Sequence, residues 1–416
     1  MAVTSMPAAP PLRAAGPPPP LDEALPDLQR LFDADWVWGA FCEQFASPEE
    51  PVDRLRLREL LYTPGERALA GYVGERRWGT WVLEEDFAVE LRSGTEARLF
   101  RFPDDPYLPG LSAVASPSQA HPLISRYAGI HPQFLRVEVV RYHPSSRAVL
   151  RHTLGWRRGR VEGTLYARAM TPRRVARLVA AGELAGSSGF VLPRLAGCWE
   201  EGGVVWLAGT PGEPVRSLVR AGRGPAPEAL LDGLAPLWSA PLPSNGGRPF
   251  AAAAAFEWAR RVLGQVVTGE EDRASLDRAV SGLESFVASW RPSALAHNDF
   301  YDDQLVLLPD GRLALVDFEE TGPGDPLLDV GNLLAHLRWM AHFARPPESD
   351  ACAAYRDAVR RAALERFGWH ADDLALREAF ALFRLATTPL RQPNPGWPQQ
   401  IGRGLGLAID ALGPAV

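Results

Sequence analysis

Lysine is absent from this sequence of 416 residues, and all 44 basic residues are arginine. Cysteine is scarce, with three widely separated residues (Cys42, Cys198 and Cys352) and no C-x-x-C pair. This argues against a disulfide framework or a cysteine zinc site and predicts reduced, buried thiols, as in a cytosolic protein. No run of 18 apolar residues occurs, so we expect no membrane span. The N-terminus lacks a basic region followed by an apolar run, so we expect no secretory leader.

A surplus of basic residues is also missing. The 44 basic and 50 acidic residues give a net charge of −6, and the hydrophobic fraction of 46% is ordinary for a globular protein. General nucleic-acid binders usually carry a basic surplus, so we expect no nucleic-acid partner. The sequence indicates no membrane or protein partner either. Its length allows two or three domains with cores that need no metal or disulfide, and we expect a cytoplasmic protein.

The residue pattern along the chain predicts four regions. Residues 1–20 contain seven prolines, which is typical of a disordered tail. Residues 21–130 are expected to hold a helix over Asp22–Phe32, an aromatic cluster and an added β-rich module, and residues 131–209 a β-rich lobe with one helix. Residues 210–416 are predicted to form a helical lobe that contains one β-hairpin. The fold class is therefore α+β with two lobes. Helices of the last region are expected over residues 226–239, 250–268, 271–289, 327–344, 350–367 and 371–388.

A short sequence frame recurs 80 residues apart. Leu61–Ala68 reads LYTPGERA and Arg141–Ala148 reads RYHPSSRA, so that both contain Y-x-P-x-x-R-A. Each copy continues as an apolar strand. Two interpretations are open: chance similarity of a short frame, or duplication of a β-hairpin unit.

Acidic and amide side chains flank the hairpin of the helical lobe. Asp299 and Gln304 precede its first strand, and Asp317 follows its second strand. Because a hairpin returns to where it began, these side chains should converge at one end. Carboxylate and amide oxygens suit Mg²⁺, which takes few protein ligands and leaves positions for phosphate oxygens and water.

The same segments carry a family resemblance. His297–Gln304, HNDFYDDQ, resembles the catalytic loop H-x-D-x-x-x-x-N of kinase-like phosphotransferases, and Asp317–Glu319, DFE, resembles their metal-binding segment. Gly324–Leu334, GDPLLDVGNLL, is similar to the G-D-P-x-x-D-L-A continuation of the aminoglycoside phosphotransferase and choline kinase group. The strong match covers residues 295–338, with weaker agreement over 135–400. It implies a two-lobe protein-kinase-like fold with a β-rich N-terminal lobe and a helical C-terminal lobe.

The resemblance implies a role for each residue of the hairpin region. Asp299 would accept or orient the proton of a substrate hydroxyl, while Gln304 and Asp317 would hold Mg²⁺ against the phosphates of ATP. Asp302 and Asp303 are interpreted as solvated loop acids. His297 would brace the loop, and Asp325 and Asp329 would fix backbone and helix geometry. Two further supporting residues are Glu319 and Glu183, the latter contributed by the other lobe.

The resemblance also implies a phosphate site in the β-rich lobe. Ser145, Ser146 and Arg147 stand where a phosphate-covering loop would be, and their backbone N–H groups and side chains would meet phosphate oxygens. A plain hairpin turn is the other interpretation. Arg168 stands where the family usually carries lysine, and arginine binds phosphate through a planar fork rather than as a point charge. Glu183 is its best predicted partner, with a surface glutamate as the alternative.

The segment with Leu207 and Ala208 resembles the hinge between the lobes, whose backbone would bond the adenine. As a plain buried strand it would have no such role.

The activity implied is an ATP- and Mg²⁺-dependent small-molecule kinase that phosphorylates a hydroxyl of a small metabolite, sugar or antibiotic. Because Arg168 and Gln304 depart from the family pattern, a catalytically degenerate, nucleotide-binding or regulatory protein stays open, as does nucleotidyl transfer. Residues 341–416 hold nine arginines and eight acids. This disfavours a polycationic aminoglycoside and favours a neutral sugar, a polyol or an anionic metabolite. Possible acceptor-pocket residues are His336, Trp339, His342, Arg384, Arg391 and Trp397.

Overall fold

The computed structural model describes residues 12–13, 16–45, 53–78, 81–156, 161–242 and 247–413. Two five-stranded sheets precede a helical lobe. The first sheet has the spatial order β1 (Leu12–Arg13), β2 (Arg54–Thr63), β3 (Arg67–Trp78), β4 (Trp81–Arg92) and β5 (Arg98–Arg101). The second consists of β6 (Phe134–His143), β7 (Arg147–Gly155), β8 (Val161–Met170), β9 (Leu195–Trp199) and β10 (Val204–Ala208), with β10 between β8 and β9.

Helices accompany both sheets and dominate the rest of the chain. With the sheets lie α1 (Ala34–Phe45), α2 (Leu111–Ala115), α3 (Pro117–Ala128) and α4 (Pro172–Ala185). The helical lobe has α5 (Val215–Arg220), α6 (Pro227–Ser239), α7 (Ala252–Val266), α8 (Glu270–Ser289), α9 (Pro326–Phe343), α10 (Glu348–Phe367), α11 (Ala371–Leu385), α12 (Thr388–Arg391) and α13 (Trp397–Leu412). Its short strands are β11 (Glu213–Pro214), β12 (Ala294–Ala296), β13 (Leu305–Leu307), β14 (Leu313–Leu315) and β15 (Gly322–Gly324).

The two sheets are built on one plan. Tyr62 pairs with Ala68 across the β2–β3 hairpin, and Tyr142 pairs with Ala148 across the β6–β7 hairpin. Each tyrosine hydroxyl is buried and donates to the carboxylate of an aspartate 40 or 37 residues earlier in the chain. The structure therefore supports duplication over chance similarity.

The repeat extends beyond the recurring frame. The aspartates are Asp22 and Asp105, and each opens a D-x-x-L-P segment whose leucine, Leu25 or Leu108, is buried. We call residues 22–101 the first repeat unit and residues 105–208 the second. Leu108, Leu111, Val114 and Ile124 share an apolar cluster with residues of the second sheet. The second unit therefore begins at Asp105, inside the region predicted as residues 21–130.

One helix distinguishes the two units. In the first, β4 passes through a short turn to β5, whereas in the second, α4 lies between β8 and β9. Helix α4 packs closely on the helical lobe at Gly182, where a Cβ atom would lie 3.1 Å from a ring carbon of Phe318. The second unit alone therefore presents a helix to the segment after β14.

Two expectations for the N-terminus need correction. A 3-10 helix covers only Leu28–Phe32 of the predicted helix, because the Asp22 carboxylate forms a turn with the N–H of Ala24 and Pro26 interrupts helical bonding. Residues 1–11, 14 and 15 of the predicted disordered tail lie outside the described residues. The end of that tail is anchored, since Trp397 donates to the Pro17 carbonyl at 2.9 Å.

The first unit packs directly on the helical lobe. One apolar cluster contains Leu57 and Phe87 of the first sheet together with Phe256, Phe380 and Leu405 of the lobe. The predicted aromatic cluster is present, with the rings of Trp38 and Phe41 stacked at 5.3 Å. All six helices predicted for the lobe form, whereas α5, α12 and α13 were missed. In the described part of the chain, no helix combines the length and apolarity needed to cross a bilayer.

Candidate active site

The β13–β14 hairpin brings the predicted residues together. Leu305 pairs with Leu315, and the backbone N–H of Val316 donates to the Gln304 carbonyl at 2.9 Å. The Gln304 amide nitrogen donates to the Asp299 carboxylate at 3.1 Å. Asp317 follows immediately after this hairpin, so that two carboxylates and one amide lie at the same end.

The side-chain oxygen of Gln304 is suited to a metal. It is buried and has no hydrogen-bond partner among the described residues, because the amide nitrogen faces Asp299. With the Asp317 carboxylate it offers hard oxygen ligands of the kind that Mg²⁺ prefers. The described residues contain no group of three or more His, Cys, Asp and Glu side chains placed to hold a metal. An ion here would therefore take most of its ligands from phosphate oxygens and water.

Asp299 lies in a poorly solvated position. Burial raises its pKa to about 6; Arg384 opposes this shift, and the charges of Asp317 and Glu320 add to it. A carboxyl group with a pKa near neutrality is able to exchange a proton with a substrate group. This environment suits the role that the sequence resemblance implies for Asp299.

His297 connects the two predicted loops. Its backbone and ring are buried, its Nε2 bonds the Asp317 carbonyl at 2.6 Å, and its Nδ1 lies 3.3 Å from the N–H of Asp299. Burial lowers the pKa of His297 to about 4, so the ring is neutral. A neutral ring with hydrogen on Nε2 satisfies both contacts. This fits the predicted bracing role.

Asp329 fixes the backbone of the catalytic loop. Its fully buried carboxylate accepts from the N–H groups of His297 and Asn298 at 2.9 and 2.7 Å and from the Trp238 indole at 2.9 Å. Burial raises the pKa of Asp329 to about 7 despite these donors. Asn298 sits at a φ of 67°, so the loop needs such support. Asp325 caps α9 through the N–H of Leu327, as its predicted structural role requires.

The two acids between Asp299 and Gln304 differ from the expectation. Asp302 is fully buried and accepts from the Arg216 Nε at 2.8 Å. Asp303 is half-exposed and also pairs with Arg216, at 3.2 Å. The interpretation as solvated loop acids is therefore wrong for Asp302, because Arg216 of α5 neutralises it.

Two arginines of the second sheet reach Asp317. Arg168 donates to its carboxylate at 3.1 Å and to the Val316 carbonyl at 2.6 Å, and Arg147 donates to the other carboxylate oxygen at 3.3 Å. Although burial acts to raise it, these arginines hold the pKa of Asp317 below its usual value. Glu183 is exposed on α4 and is not among the partners of Arg168. The predicted pairing of Arg168 with Glu183 is therefore wrong.

Sequence reasoning missed Arg174, in the first turn of α4. It forms a bidentate pair with Glu319 at 2.6 and 2.9 Å and donates to the Ser146 carbonyl at 3.0 Å. Glu319 thus supports the site by joining α4 to the segment after β14. The only signal in the sequence is an arginine pair directly after the helix-initiating Pro172.

The predicted phosphate-covering loop is tied down from several sides. Ser145 has a φ of 58°; its N–H donates to Asp105 at 2.7 Å and its hydroxyl accepts from Arg67 at 2.8 Å. The N–H of Ser146 donates to the His143 carbonyl. These two backbone donors, which the resemblance assigned to phosphate, are therefore engaged within the protein. Arg147, directed at Asp317, is the member of the predicted set with its charge at the site.

The first unit grips the same loop. Arg58 donates to the Tyr142 carbonyl at 2.6 Å, and Glu59 pairs with the His143 Nδ1 at 2.7 Å. Arg67 joins Ser145 to Glu90, with which it pairs at 2.6 Å. The role of the added module, which the sequence left open, therefore includes supporting the loop of the second unit.

The predicted hinge is part of a β-strand, and some of its backbone N–H groups already donate hydrogen bonds within the protein. Leu207 is buried in β10, and the N–H of Ala208 donates to the Arg194 carbonyl at 2.9 Å. The N–H of Gly209 donates to the Thr164 carbonyl at 2.8 Å. The N–H of Ala208 is therefore not available to adenine.

The suggested acceptor-pocket residues lie in several different surroundings. His336 stacks on Tyr301 at 4.0 Å, and Arg384, whose charge acts on Asp299, stacks on Phe250 at 5.3 Å. Trp397 is buried against the N-terminal segment and has a structural role. Of the others, Trp339 and His342 pack against Phe343, and Arg391 lines a cavity at the first sheet.

Comparison with solved structures shows the fold. Choline kinase from Cryptosporidium parvum Iowa II has a TM-score of 0.52 at 9% identity, covering 71% of this chain and 94% of that chain. A thermostable mutant of the aminoglycoside phosphotransferase APH(4)-Ia, in ternary complex with ADP and hygromycin B, has a TM-score of 0.50 at 14% identity, covering 70% and 98%. The two-lobe kinase-like fold expected from the sequence is confirmed.

Comparison by sequence is narrower. No curated protein matches this chain. The family model described as the phosphotransferase enzyme family, APH, matches residues 145–374. The match includes Asp299, Gln304 and Asp317 and leaves the first repeat unit outside. Because it covers more than half of the sequence, the chain belongs to the phosphotransferase enzyme family.

Proposed function

We propose that the protein is a Mg²⁺- and ATP-dependent kinase that transfers the γ-phosphoryl group to a hydroxyl of a small molecule. The observation that carries the proposal is the half-buried Asp299 carboxylate beside the unpartnered Gln304 oxygen and the Asp317 carboxylate. These are an acid–base group and two metal-ligand oxygens at one end of a hairpin. Phosphoryl transfer needs mainly positioning and charge neutralisation, which such a set supplies.

Each residue has a defined task in the proposed reaction. Asp299 orients the acceptor hydroxyl and receives its proton as the hydroxyl oxygen bonds the γ-phosphorus. The bond from that phosphorus to the β–γ bridging oxygen breaks, and ADP leaves with the electron pair. Gln304 and Asp317 would hold Mg²⁺, which when bound neutralises charge on the phosphates. His297 and Asp329 keep the loop in place through the contacts described above.

The two arginines at Asp317 support nucleotide binding in place of lysine. Arg168 and Arg147 lie within 3.3 Å of the carboxylate, so their guanidinium groups face the space where phosphates would meet the metal ligands. Arginine forms bidentate bonds with phosphate oxygens and stays charged at any physiological pH. Substitution of lysine by arginine is therefore compatible with activity in this site.

Calorimetric titration tests the nucleotide site. ATP is titrated with and without Mg²⁺ into the wild type, Asp317→Ala and the control Asp310→Ala, whose aspartate is exposed at the turn of the same hairpin. We expect Mg²⁺-dependent binding that is lost in Asp317→Ala and kept in Asp310→Ala. Absence of binding by the folded wild type would favour the degenerate, regulatory protein instead.

Turnover tests the catalytic role of Asp299. Asp299→Asn should bind MgATP like the wild type but release ADP at least about 10²-fold more slowly, the usual lower range for loss of an acid–base group. Unchanged turnover would remove Asp299 from the mechanism. The mass of the product separates phosphoryl from nucleotidyl transfer, since the acceptor gains either one phosphate or a whole nucleotide.

A further inference from the structure

We infer that the acceptor carries an anionic group, bound by Arg384, and an apolar body, seated in a cavity between the first repeat unit and the helical lobe. This inference rests on the proposed function and adds the chemical class of the acceptor. It also gives the first repeat unit a place in acceptor selection.

Arg384 differs from the other arginines of the site. Arg168, Arg174 and Arg216 each pair with a carboxylate. The guanidinium of Arg384 instead stacks on the rings of Phe250 and Phe380, at 5.3 and 5.9 Å, and has no hydrogen-bond or ion-pair partner among the described residues. Its N–H groups thus remain available beside two aromatic rings. A poorly solvated, unpaired cation strongly favours an anionic ligand.

Arg384 also lies close enough to Asp299 for its charge to act on that carboxylate. Its charge acts on both Asp299 and His336, the ring that stacks on Tyr301. His336 is itself neutral, because burial lowers its pKa to about 3 and Arg216 and Arg384 lower it further. The positive charge in this part of the cleft therefore comes from arginine, and the acids whose charges act on Arg384 are Asp299 and Glu320.

Thr387, three residues along the chain from Arg384, lines a cavity of about 240 Å³. The hydroxyl of Thr387, in its lining, donates to the Arg384 carbonyl at 2.8 Å. Leu60 of β2 and Trp258 and Val262 of α7 supply apolar walls. Trp258 is 41% exposed, which is unusual for so large an apolar side chain. A ligand body of aromatic or aliphatic character would cover it.

The duplication explains why a cavity lies there. It is lined by Tyr62, Thr63 and Arg67, at the tip of the β2–β3 hairpin. The equivalent tip of the second unit carries Arg147, which faces the proposed phosphate site. Arg67 also bonds Ser145, so the cavity touches the loop proposed to cover ATP. The two hairpins would thus cover the two substrates of one reaction.

Three matched alcohols test the charge preference. They are 3-hydroxy-2-phenylpropanoate, 2-phenylpropane-1,3-diol and 3-amino-2-phenylpropan-1-ol, which share a phenyl group and a primary hydroxyl and differ in charge. Their dissociation constants are measured calorimetrically in the presence of MgADP. We expect the anion to bind at least tenfold more tightly than the diol and the cation to bind most weakly.

Variants assign the preference to its residues. Arg384→Gln should abolish the difference between the anion and the diol, and Arg384→Lys should restore part of it. Trp258→Ala should weaken all three alcohols by a similar factor. A preference for the diol or the cation, a preference that persists in Arg384→Gln, or no binding of any alcohol would overturn the inference. If MgATP affinity is unchanged in these variants, a failed acceptor test contradicts this inference and not the proposed function. If the wild type does not bind MgATP, the proposed function itself is contradicted.

Discussion

The duplicated aspartates provide a prediction with its own control. Asp105→Asn should both destabilise the protein and weaken ATP binding, whereas Asp22→Asn should destabilise it with a smaller effect on ATP binding. Each carboxylate accepts from a tyrosine hydroxyl, from a hairpin N–H and from the N–H two residues later. Of the two hairpins, the one held by Asp105 contains the loop proposed to cover the phosphates.

The size of the effect follows from the bonds. One oxygen of Asp105 accepts from Tyr142 at 3.0 Å and from the Ser145 N–H at 2.7 Å, and the other accepts from Tyr107 at 2.8 Å. Asparagine replaces one oxygen by a donor, so at least one backbone N–H is left facing an NH₂ group. Hydrogen bonds to a charged group contribute about 1.5–3 kcal/mol each, and we expect a loss of about 2–4 kcal/mol. Release of Ser145 from its left-handed conformation should weaken MgATP binding by about tenfold, or about 1.4 kcal/mol.

Urea unfolding and MgATP titration of both variants measure the two effects. Similar losses of unfolding free energy are expected, with the larger loss of ATP affinity in Asp105→Asn. Equal ATP affinities in the two variants would contradict the assignment of Ser145 to the phosphate loop. Unchanged stability in both would contradict the bonding argument itself.

Two further predictions concern buried polar groups. Burial lowers the pKa of His152 to about 4, below the ordinary histidine value of about 6.5. The neutral side chain therefore makes its full contribution to stability above pH 6.5, and about 3 kcal/mol of unfolding free energy is lost as the pH falls toward 4. Urea unfolding over this pH range should show a steeper loss of stability in the wild type than in His152→Gln. Asp329→Asn should cost about 2–4 kcal/mol, because an NH₂ group would face the N–H donors of the catalytic loop. It should also lower turnover more than MgATP affinity, and a variant with wild-type unfolding and wild-type turnover would show that these bonds do not hold the loop.

The convergence of the candidate site residues was predictable because their arrangement is local. Asp299, Gln304 and Asp317 stand at the ends of one hairpin, and a turn signal in the sequence is enough to bring such ends together. The D-x-x-L-P segments of the repeat could also have been found, since they are present in the sequence at Asp22 and Asp105.

The partners of these residues were not predictable in the same way. Arg168 and Asp317 are 149 residues apart, and Arg216 and Asp302 are 86 apart. No local sequence pattern distinguishes Asp317 from Glu183 as the partner of Arg168. The packing of the two lobes decides which of these acids lies close to Arg168. The hydrogen bond of the Ser145 N–H was likewise not predictable, because its acceptor is an aspartate 40 residues upstream.

The shared bonding of the two repeat units has a consequence for the order in which the chain folds. Asp105 is 43 residues from Tyr62 and 37 from Tyr142, so the entropy of loop closure hardly distinguishes the correct tyrosine from the wrong one. During synthesis, however, Asp22 and Tyr62 both emerge before Asp105 exists, and an N-terminal unit generally folds first. We expect the growing chain to pair each aspartate with its own hairpin, while a denatured full-length chain is open to exchanging them.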